Sequence, residues 1–267
     1  MDFEYIQRNV PSDSSAEAEN AEDFDYDLAG CSCEGACRPS TSDPSSGCSC
    51  LSYGKEIYDQ NGCLLLEEES NVPILECHEN CGCAPDCGNR AAQFGLQLKV
   101  EPFLAPNGKG LGLRAGERIP RGRFVIEYAG EIVSAEEANE RCRRYKAAGQ
   151  EHHYIFTLKE HSGDSCTQTF IDATKKGNLA RLINHSCAPN LAPTILRYGR
   201  AVPVCALFAR RDIEAGEELS YDYGRLTTIE QDSPVDEANG KPCRCGATNC
   251  RHFLPFLDYD VANFVRK

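Results

Sequence analysis

The chain contains no tryptophan and a single methionine, and aromatic residues make up 8% of its 267 positions. It carries no uninterrupted apolar run of about 18 residues, so no helix able to cross a membrane is expected. The opening residues, Met1-Asp2-Phe3-Glu4-Tyr5, lack the basic and apolar regions of a secretory signal, and a place inside the cell is expected. Basic residues are the minority: 28 lysines and arginines face 41 aspartates and glutamates, a formal net charge of −13. That balance weighs against a direct nucleic-acid binder, which presents a basic face to phosphate, and favours a basic peptide as visitor. No internal repeat is present. Residues 1–27 hold nine acidic residues against one arginine and show no apolar periodicity, so a disordered leader is expected, with Phe24 and Tyr26 as spots for local docking.

What the chain has in quantity is cysteine, 17 in all. An odd count, a reducing compartment and tight C-x-C and C-x-x-x-C spacing suit metal ligation better than disulfides. One group comprises Cys31, Cys33, Cys37, Cys48 and Cys50, and a second Cys77, Cys81, Cys83 and Cys87. These nine thiolates satisfy three tetrahedral zinc ions when three of them bridge, or else serve independent zinc knuckles. A loop-rich segment this short cannot build a sufficient apolar core, so the metal is expected to hold it together. Near the other end, Cys243, Cys245 and Cys250 are one ligand short of a tetrahedral site. Cys63, Cys142, Cys166 and Cys205 stand apart as ordinary thiols.

Between the cysteine groups, strand patterns recur. Leu96, Leu98 and Val100 alternate, Leu111 and Leu113 follow, and 124–133 is strongly strand-forming. Further strands are expected at 154–158, 169–173, 194–198 and 202–209. The turn Asn107-Gly108-Lys109-Gly110 lets backbone approach a ligand. Ser134-Ala135-Glu136-Glu137 is a capping box that opens a helix to about Gly149. Ala135, Ala138, Cys142 and Tyr145 line its apolar face, with Arg141, Arg143, Arg144 and Lys146 directed largely outward. Residues 225–242, with Asp232-Ser233-Pro234 and Asn239-Gly240, form an expected mobile linker. Short strands mixed with turns indicate small curled sheets, not a doubly wound parallel sheet.

Two polar signatures sit between these apolar runs: Arg181-Leu182-Ile183-Asn184-His185-Ser186-Cys187-Ala188-Pro189-Asn190 and Glu218-Leu219-Ser220-Tyr221-Asp222-Tyr223-Gly224. Loops mounted on rigid elements are where chemistry concentrates. With Gly108-Lys109-Gly110-Leu111-Gly112, with Tyr128-Ala129-Gly130-Glu131 and with the flanking cysteines, this set resembles SET-domain protein-lysine methyltransferases. The likeness spans roughly residues 28–257, and the first cysteine pattern is similar to the suppressor-of-variegation class.

The resemblance implies a mainly β SET-domain fold of small curled sheets with a pseudoknot-like active site. It implies an acidic leader over 1–27, a pre-SET module with a triangular three-zinc cluster over 28–92, a catalytic domain over 93–224, and a linker with post-SET zinc module over 225–267. Cys187 is implied as the fourth ligand of Cys243, Cys245 and Cys250. S-adenosylmethionine is implied to lie against Lys109, Gly110, Leu111, Tyr154, Arg181, Asn184, His185, Tyr223 and Phe253, with Leu111 where the family usually has tryptophan. Arg181 and Asp172 are read mainly as supports for the motif loop. Tyr223 matches the catalytic tyrosine, Tyr154 lines the lysine channel, and Tyr221 holds the phenylalanine-or-tyrosine switch position, where tyrosine implies mono- or dimethylation. The implied substrate is a histone tail or nucleosome, at lysine nine or thirty-six of the third core histone, methylated in the nucleus by a monomer without sequence-specific nucleic-acid contact. Asn184, His185, Tyr154 and Tyr223 occurring together favour this enzyme over a catalytically idle zinc-rich chromatin interaction module.

Overall fold

A computed structural model describes residues 3–12, 27–39, 47–51, 55–65, 73–150, 154–162, 165–224 and 241–255. The β-branched and aromatic runs become strands, and their period-2 alternation decides which face each side chain covers. Strands β3 (Ile74–Leu75), β6 (Phe124–Tyr128), β12 (Leu191–Arg197) and β13 (Val204–Ala209) form one sheet in the order β3-β12-β13-β6. Along β13, Cys205, Leu207 and Ala209 point into the central core, while Ala206 and Phe208 point into a second core. That second core is made by the cysteine-rich segment together with Ile57, Tyr58 and Ile74. Phe208 meets Phe124 edge-on at 5.6 Å and stacks on Tyr58 at 6.3 Å. The sheet is therefore apolar on both faces, because each face covers a different module.

A buried carboxylate secures the same junction. Glu76, 1% exposed, accepts from the Tyr58 hydroxyl at 2.7 Å, from the backbone N–H groups of Ala91, Ala92 and Gln93, and from the Gln93 amide. A buried charge is tolerable only with such a full set of donors.

The second sheet, in the order β2-β7-β9-β8, contains β2 (Val10–Pro11), β7 (Glu131–Val133), β8 (Ile155–Ser162) and β9 (Ser165–Asp172). Helix α1 (Ala135–Ala147) packs on its two inner strands, with Ala138 against Val133 and Phe170, and its N-cap Ser134 accepts from the Glu137 N–H at 3.2 Å. Three of the expected basic residues on α1 are exposed, but Arg141 is not: its side chain is 11% exposed and turned inward. It donates to Glu131 and Asp172 at 2.9 Å each and to Glu137 at 2.6 Å, while Tyr145 adds a bond to Asp172 at 2.8 Å. Three carboxylates draw one guanidinium under the helix, which helical periodicity alone does not register. Asp172 thus anchors α1 and the turn at Thr174, whose N–H it accepts at 2.9 Å.

The remaining strands are short. β4 (Val100–Ala105) and β5 (Gly110–Ala115) make a hairpin, with Asn107 at φ 60° in its turn. Leu96 and Leu98 pack on the core without joining a strand, and pairing begins at Val100. β1 (Glu4–Tyr5) pairs with β10 (Lys176–Gly177), and β11 (Asn184–His185) with β14 (Ser220–Tyr221).

Residues 3–12 correct the expectation of disorder through residue 27. They lie as a strap along two sheet edges, with Glu4 N–H bonded to the Lys175 carbonyl at 2.8 Å and Val10 N–H to the Gly130 carbonyl at 3.1 Å. Edge pairing uses main-chain groups that every residue carries, so it needs no apolar pattern. Residues 13–26, with Phe24 and Tyr26, and 225–240 of the expected linker lie outside the described residues.

The strap crosses β6 at Glu127, which is 4% exposed and accepts from Tyr198 Oη at 2.7 Å and Asn9 N at 3.2 Å. Burial raises its pKa more than these bonds and the Arg8 charge lower it, to about 7 from an ordinary 4.5. Between those values the folded chain keeps a proton that the unfolded chain has released, so this residue lowers stability as pH rises, by about 1.4 kcal/mol per unit. The penalty is complete above pH 7. Glu127→Gln is expected to remove that slope, so that its stability gain over the wild type in urea grows from pH 5 to pH 7.5. A constant difference between the two proteins across this range would refute the assignment.

Candidate active site and metal centres

The two polar signatures meet through backbone. β11 runs parallel to β14, with Asn184 opposite Ser220 and His185 opposite Tyr221, and Ser186 N–H reaches the Tyr221 carbonyl at 3.1 Å. Asn190 closes the other end of the motif. Its amide donates to the Glu217 carboxylate and the Glu218 carbonyl at 2.9 Å, and its Oδ1 accepts from Ser220 N at 2.9 Å. Leu219 N–H bonds to the Leu113 carbonyl at 2.8 Å and brings β5 alongside.

This pairing sets three aromatic rings together. Tyr221, 5% exposed, lies 4.7 Å from Tyr223 and 5.8 Å from Phe156 between ring centres. The Tyr223 hydroxyl donates to the Ile183 carbonyl at 2.9 Å. Burial, then the neighbouring Tyr154 hydroxyl, pushes its pKa well above the ordinary tyrosine value, so it acts as a neutral O–H. Tyr154 is held by its own carbonyl, which accepts from Tyr128 Oη at 2.9 Å and Ala173 N at 3.0 Å. The Arg181 guanidinium covers its ring at 3.8 Å and meets the Phe3 ring at 4.6 Å on the strap. Arg181 therefore props Tyr154, and only its Nη2 contact to the Thr174 carbonyl at 3.4 Å is polar among its described partners.

His185 is 5% exposed, and burial lowers its pKa to about 4 even though Asp222 lies 3.7 Å away. The ring is neutral, and Nδ1 accepts from Tyr223 N at 3.3 Å. The proton consequently sits on Nε2, which faces the Cys187 sulfur at 3.4 Å. Both ring nitrogens are engaged inside the protein, so His185 ties the cysteine of the first motif to the tyrosine of the second.

The glycine turn is drawn onto this frame. Asn184 Nδ2 donates to Glu218 Oε1 at 2.9 Å and to the Leu111 carbonyl at 3.3 Å, leaving Oδ1 without a donor among the described residues. Lys109 Nζ pairs with Glu218 Oε2 at 2.5 Å. Gly112 is needed for this approach, since a Cβ there would stand 2.9 Å from the Phe103 ring and 3.0 Å from Asn184 Nδ2. Gly110, at φ +81°, and Leu111, 56% exposed, form the open side.

The C-terminal cysteines complete the enclosure. The sulfurs of Cys187, Cys243, Cys245 and Cys250 all lie within 4.8 Å of one another, a closed four-thiol set that could hold a metal ion. Arg244 Nη1 donates to the carbonyls of Asn107 and Gly108 at 3.0 and 3.1 Å, and Arg251 Nη2 to Asp222 at 2.7 Å. Phe253, bridged to Pro242, is carried to the same side. Neither arginine carries a motif signal, because the cysteine spacing does not constrain the residues beside the cysteines. Glu218 stood in the quoted signature without a role, and only the chain crossing reveals its two partners.

The first cysteine group also converges. Its sulfurs fall into the sets Cys31-Cys33-Cys37-Cys48, Cys31-Cys50-Cys77-Cys81 and Cys31-Cys37-Cys77-Cys83, so Cys31 is common to all three and Cys37 and Cys77 to two each. The Cys87 thiol lies within bonding reach of Cys37 and Cys83. Asn89 and Arg90 each donate to a sulfur, Cys77 and Cys83 respectively, at 3.5 Å, as suits thiolates carrying excess negative charge. Cys63, Cys142, Cys166 and Cys205 lie outside these sets.

Known proteins share this arrangement. A family model described as SET domain matches residues 110–224, and one described as Pre-SET motif matches residues 1–90. The chain is 37% identical over 259 residues to the probable histone-lysine N-methyltransferase set-23 of Caenorhabditis elegans, covering 96% of this chain and 97% of that protein. The methyltransferase domain of human histone-lysine N-methyltransferase SETMAR superposes with a TM-score of 0.77 at 36% identity, covering 96% of this chain and 90% of that one. KRYPTONITE, solved in complex with mCHH DNA, an H3(1–15) peptide and SAH, superposes with a TM-score of 0.68 at 30% identity over 94% of this chain and 47% of that one.

Proposed function

This chain belongs to the SET-domain family of histone-lysine N-methyltransferases, and from that premise we propose that it methylates lysine nine or thirty-six of the third core histone, stopping at the mono- or dimethyl state. It is an S-adenosylmethionine-dependent protein-lysine methyltransferase. The observation that carries the finer reading is the convergence of Tyr154, Tyr221 and Tyr223 beside Asn184 at the pairing of β11 with β14. The H3 peptide bound by KRYPTONITE supports the histone tail as substrate.

The cradle suits the cofactor. Asn184 offers an open acceptor, Gly110 leaves backbone accessible, and Leu111 and Phe253 supply apolar surface. Lys109, by its backbone in the glycine turn, Tyr154, Arg181, His185 and Tyr223 complete the proposed holding set, Arg181 through Tyr154 and His185 by fixing the motif. Bound S-adenosylmethionine supplies an electrophilic methyl group on a sulfonium. That positive charge and the apolar walls both disfavour the ammonium form of an entering lysine and lower its pKa, so that it arrives as the nucleophilic amine. The Tyr223 proton is committed to the Ile183 carbonyl, which leaves the hydroxyl lone pairs to accept from the amine N–H and aim its own lone pair. Tyr221, with a second hydroxyl in the channel, takes up space that a methylated amine would need.

The metals are proposed as three zinc ions over 28–92, bridged by Cys31, Cys37 and Cys77, and one in the 225–267 module, both flanking a catalytic domain over 93–224. The protein acts as a monomer in nuclear chromatin without direct sequence-specific DNA contact, in keeping with its net charge of −13.

Mass spectrometry of histone tails and nucleosomes incubated with the zinc-loaded protein and S-adenosylmethionine is expected to show one lysine modified. Tyr223→Phe is expected to lower the rate by about 100-fold or more, and Tyr221→Phe to raise the final methyl count. Methylation unaffected by Tyr223→Phe, or an unchanged methyl distribution for Tyr221→Phe, would contradict these roles. Elemental analysis is expected to find one zinc fewer in Cys250→Ser, whereas Cys31→Ser loses the whole first cluster; equal losses in the two variants would rule out shared bridging.

A further inference from the structure

Glu218 is the residue whose surroundings the reaction scheme does not use. Its main chain is fixed on both sides, bridged to Arg114 of β5 and bonded through its carbonyl to the Asn190 amide. Its side chain, 23% exposed, is divided between two elements far apart in sequence. Oε2 takes the Lys109 ammonium of the glycine turn, and Oε1 takes the Asn184 amide of the motif. Its charge is also felt by the Tyr223 hydroxyl, whose pKa it helps to raise.

We propose that Glu218 is a positioning residue of the cofactor site, which fixes the direction of the Asn184 amide by bridging it to Lys109. This rests on the reading that Asn184 and the glycine turn hold S-adenosylmethionine. An asparagine amide is nearly symmetric in shape, and rotation by half a turn exchanges an acceptor for a donor. With a carboxylate oxygen at 2.9 Å, Asn184 must direct Nδ2 toward Glu218, because Oδ1 there would meet a second acceptor. The Leu111 carbonyl at 3.3 Å imposes the same direction. Oδ1 is then turned outward as an acceptor, the complement of an amino acid ammonium and the wrong partner for a carboxylate.

The arrangement predicts an unusual response to removal of the charge. In Glu218→Gln, the Lys109 ammonium captures the single amide oxygen, and the new NH2 faces Asn184. Asn184 then rotates to present Oδ1 inward and Nδ2 outward, where it opposes the cofactor ammonium. Adding Lys109→Met frees the glutamine oxygen to accept from Asn184 Nδ2 and restores the native direction.

The test is calorimetric titration of the zinc-loaded full chain with S-adenosylmethionine, with melting curves and steady-state kinetics alongside. Glu218→Gln is expected to weaken binding by about ten-fold or more, the scale of one charge-assisted hydrogen bond. The KM for the histone peptide and the kcat at saturating cofactor should stay within about three-fold of wild type, since the acceptor site is untouched. Lys109→Met with Glu218→Gln is expected to recover most of the lost affinity, which a merely structural role for Glu218 does not allow. Binding by Glu218→Gln within about two-fold of wild type, or a double variant no better than Glu218→Gln alone, overturns the proposal. Asn184→Ala serves as reference for the underlying reading: if it loses affinity while Glu218→Gln does not, only the role of Glu218 fails. If Asn184→Ala binds as wild type does, the reading of the cofactor site itself falls.

Discussion

Two residues of parallel pairing, Asn184–His185 against Ser220–Tyr221, hold this molecule's chemistry in place. Four residues of backbone are too few to persist alone, and the pairing lasts because side chains lock it at both ends. Asn190 satisfies three polar groups of the facing segment, and the neutral His185 ring spans from the Tyr223 backbone to the Cys187 sulfur. Most groups of the site hang from this frame, Tyr221 and Tyr223 on one side, Asn184 on the other and Glu218 with the glycine turn beneath, while Tyr154 is held by Tyr128 and Ala173. A shift of the frame therefore moves the lysine channel and the cofactor cradle together.

The metal centres and the frame are mechanically one unit. Cys187 belongs both to the motif and to the C-terminal four-thiol set, so a metal there pins residues 241–255 onto the site. Arg244 and Arg251 extend the same segment to the glycine turn and to Asp222. At the opposite end, the cysteine-rich module is fastened through the shared apolar sheet and the five donors around Glu76, next to Cys77. A domain with short strands gains through these thiolates the rigidity that a larger apolar core would supply elsewhere.

Charge is handled by enclosure within opposite charge. Arg141 is shared by three carboxylates, and Glu218 serves Lys109 and Asn184. Glu127 has fewer partners: its nearest donors are a hydroxyl and an amide, which do not offset the cost of burial, and its pKa rises. The N-terminal strap lies across these groups, touching Glu127 through Asn9, Glu137 through Ser12 and Arg181 through Phe3.

The residue order alone determined a good deal. Cysteine spacing announced the thiol clusters, because ligation chemistry constrains residue type and short-range separation directly. The Ser134 cap and the strands β6 and β13 were equally legible, since caps and strand-forming runs depend on residues a few positions apart. The tertiary structure alone decided where long side chains go. Arg141 belongs by period to a solvated face, yet Glu131 and Asp172 arrive from two other strands to claim it. Residues 3–12 look like a solvated leader, yet open sheet edges receive them. Glu218 acquires its meaning only where β5, the motif and the glycine turn cross. In each case the deciding partner is distant in sequence, and a one-dimensional pattern carries no record of which distant donors and acceptors the packed core will bring within 3 Å.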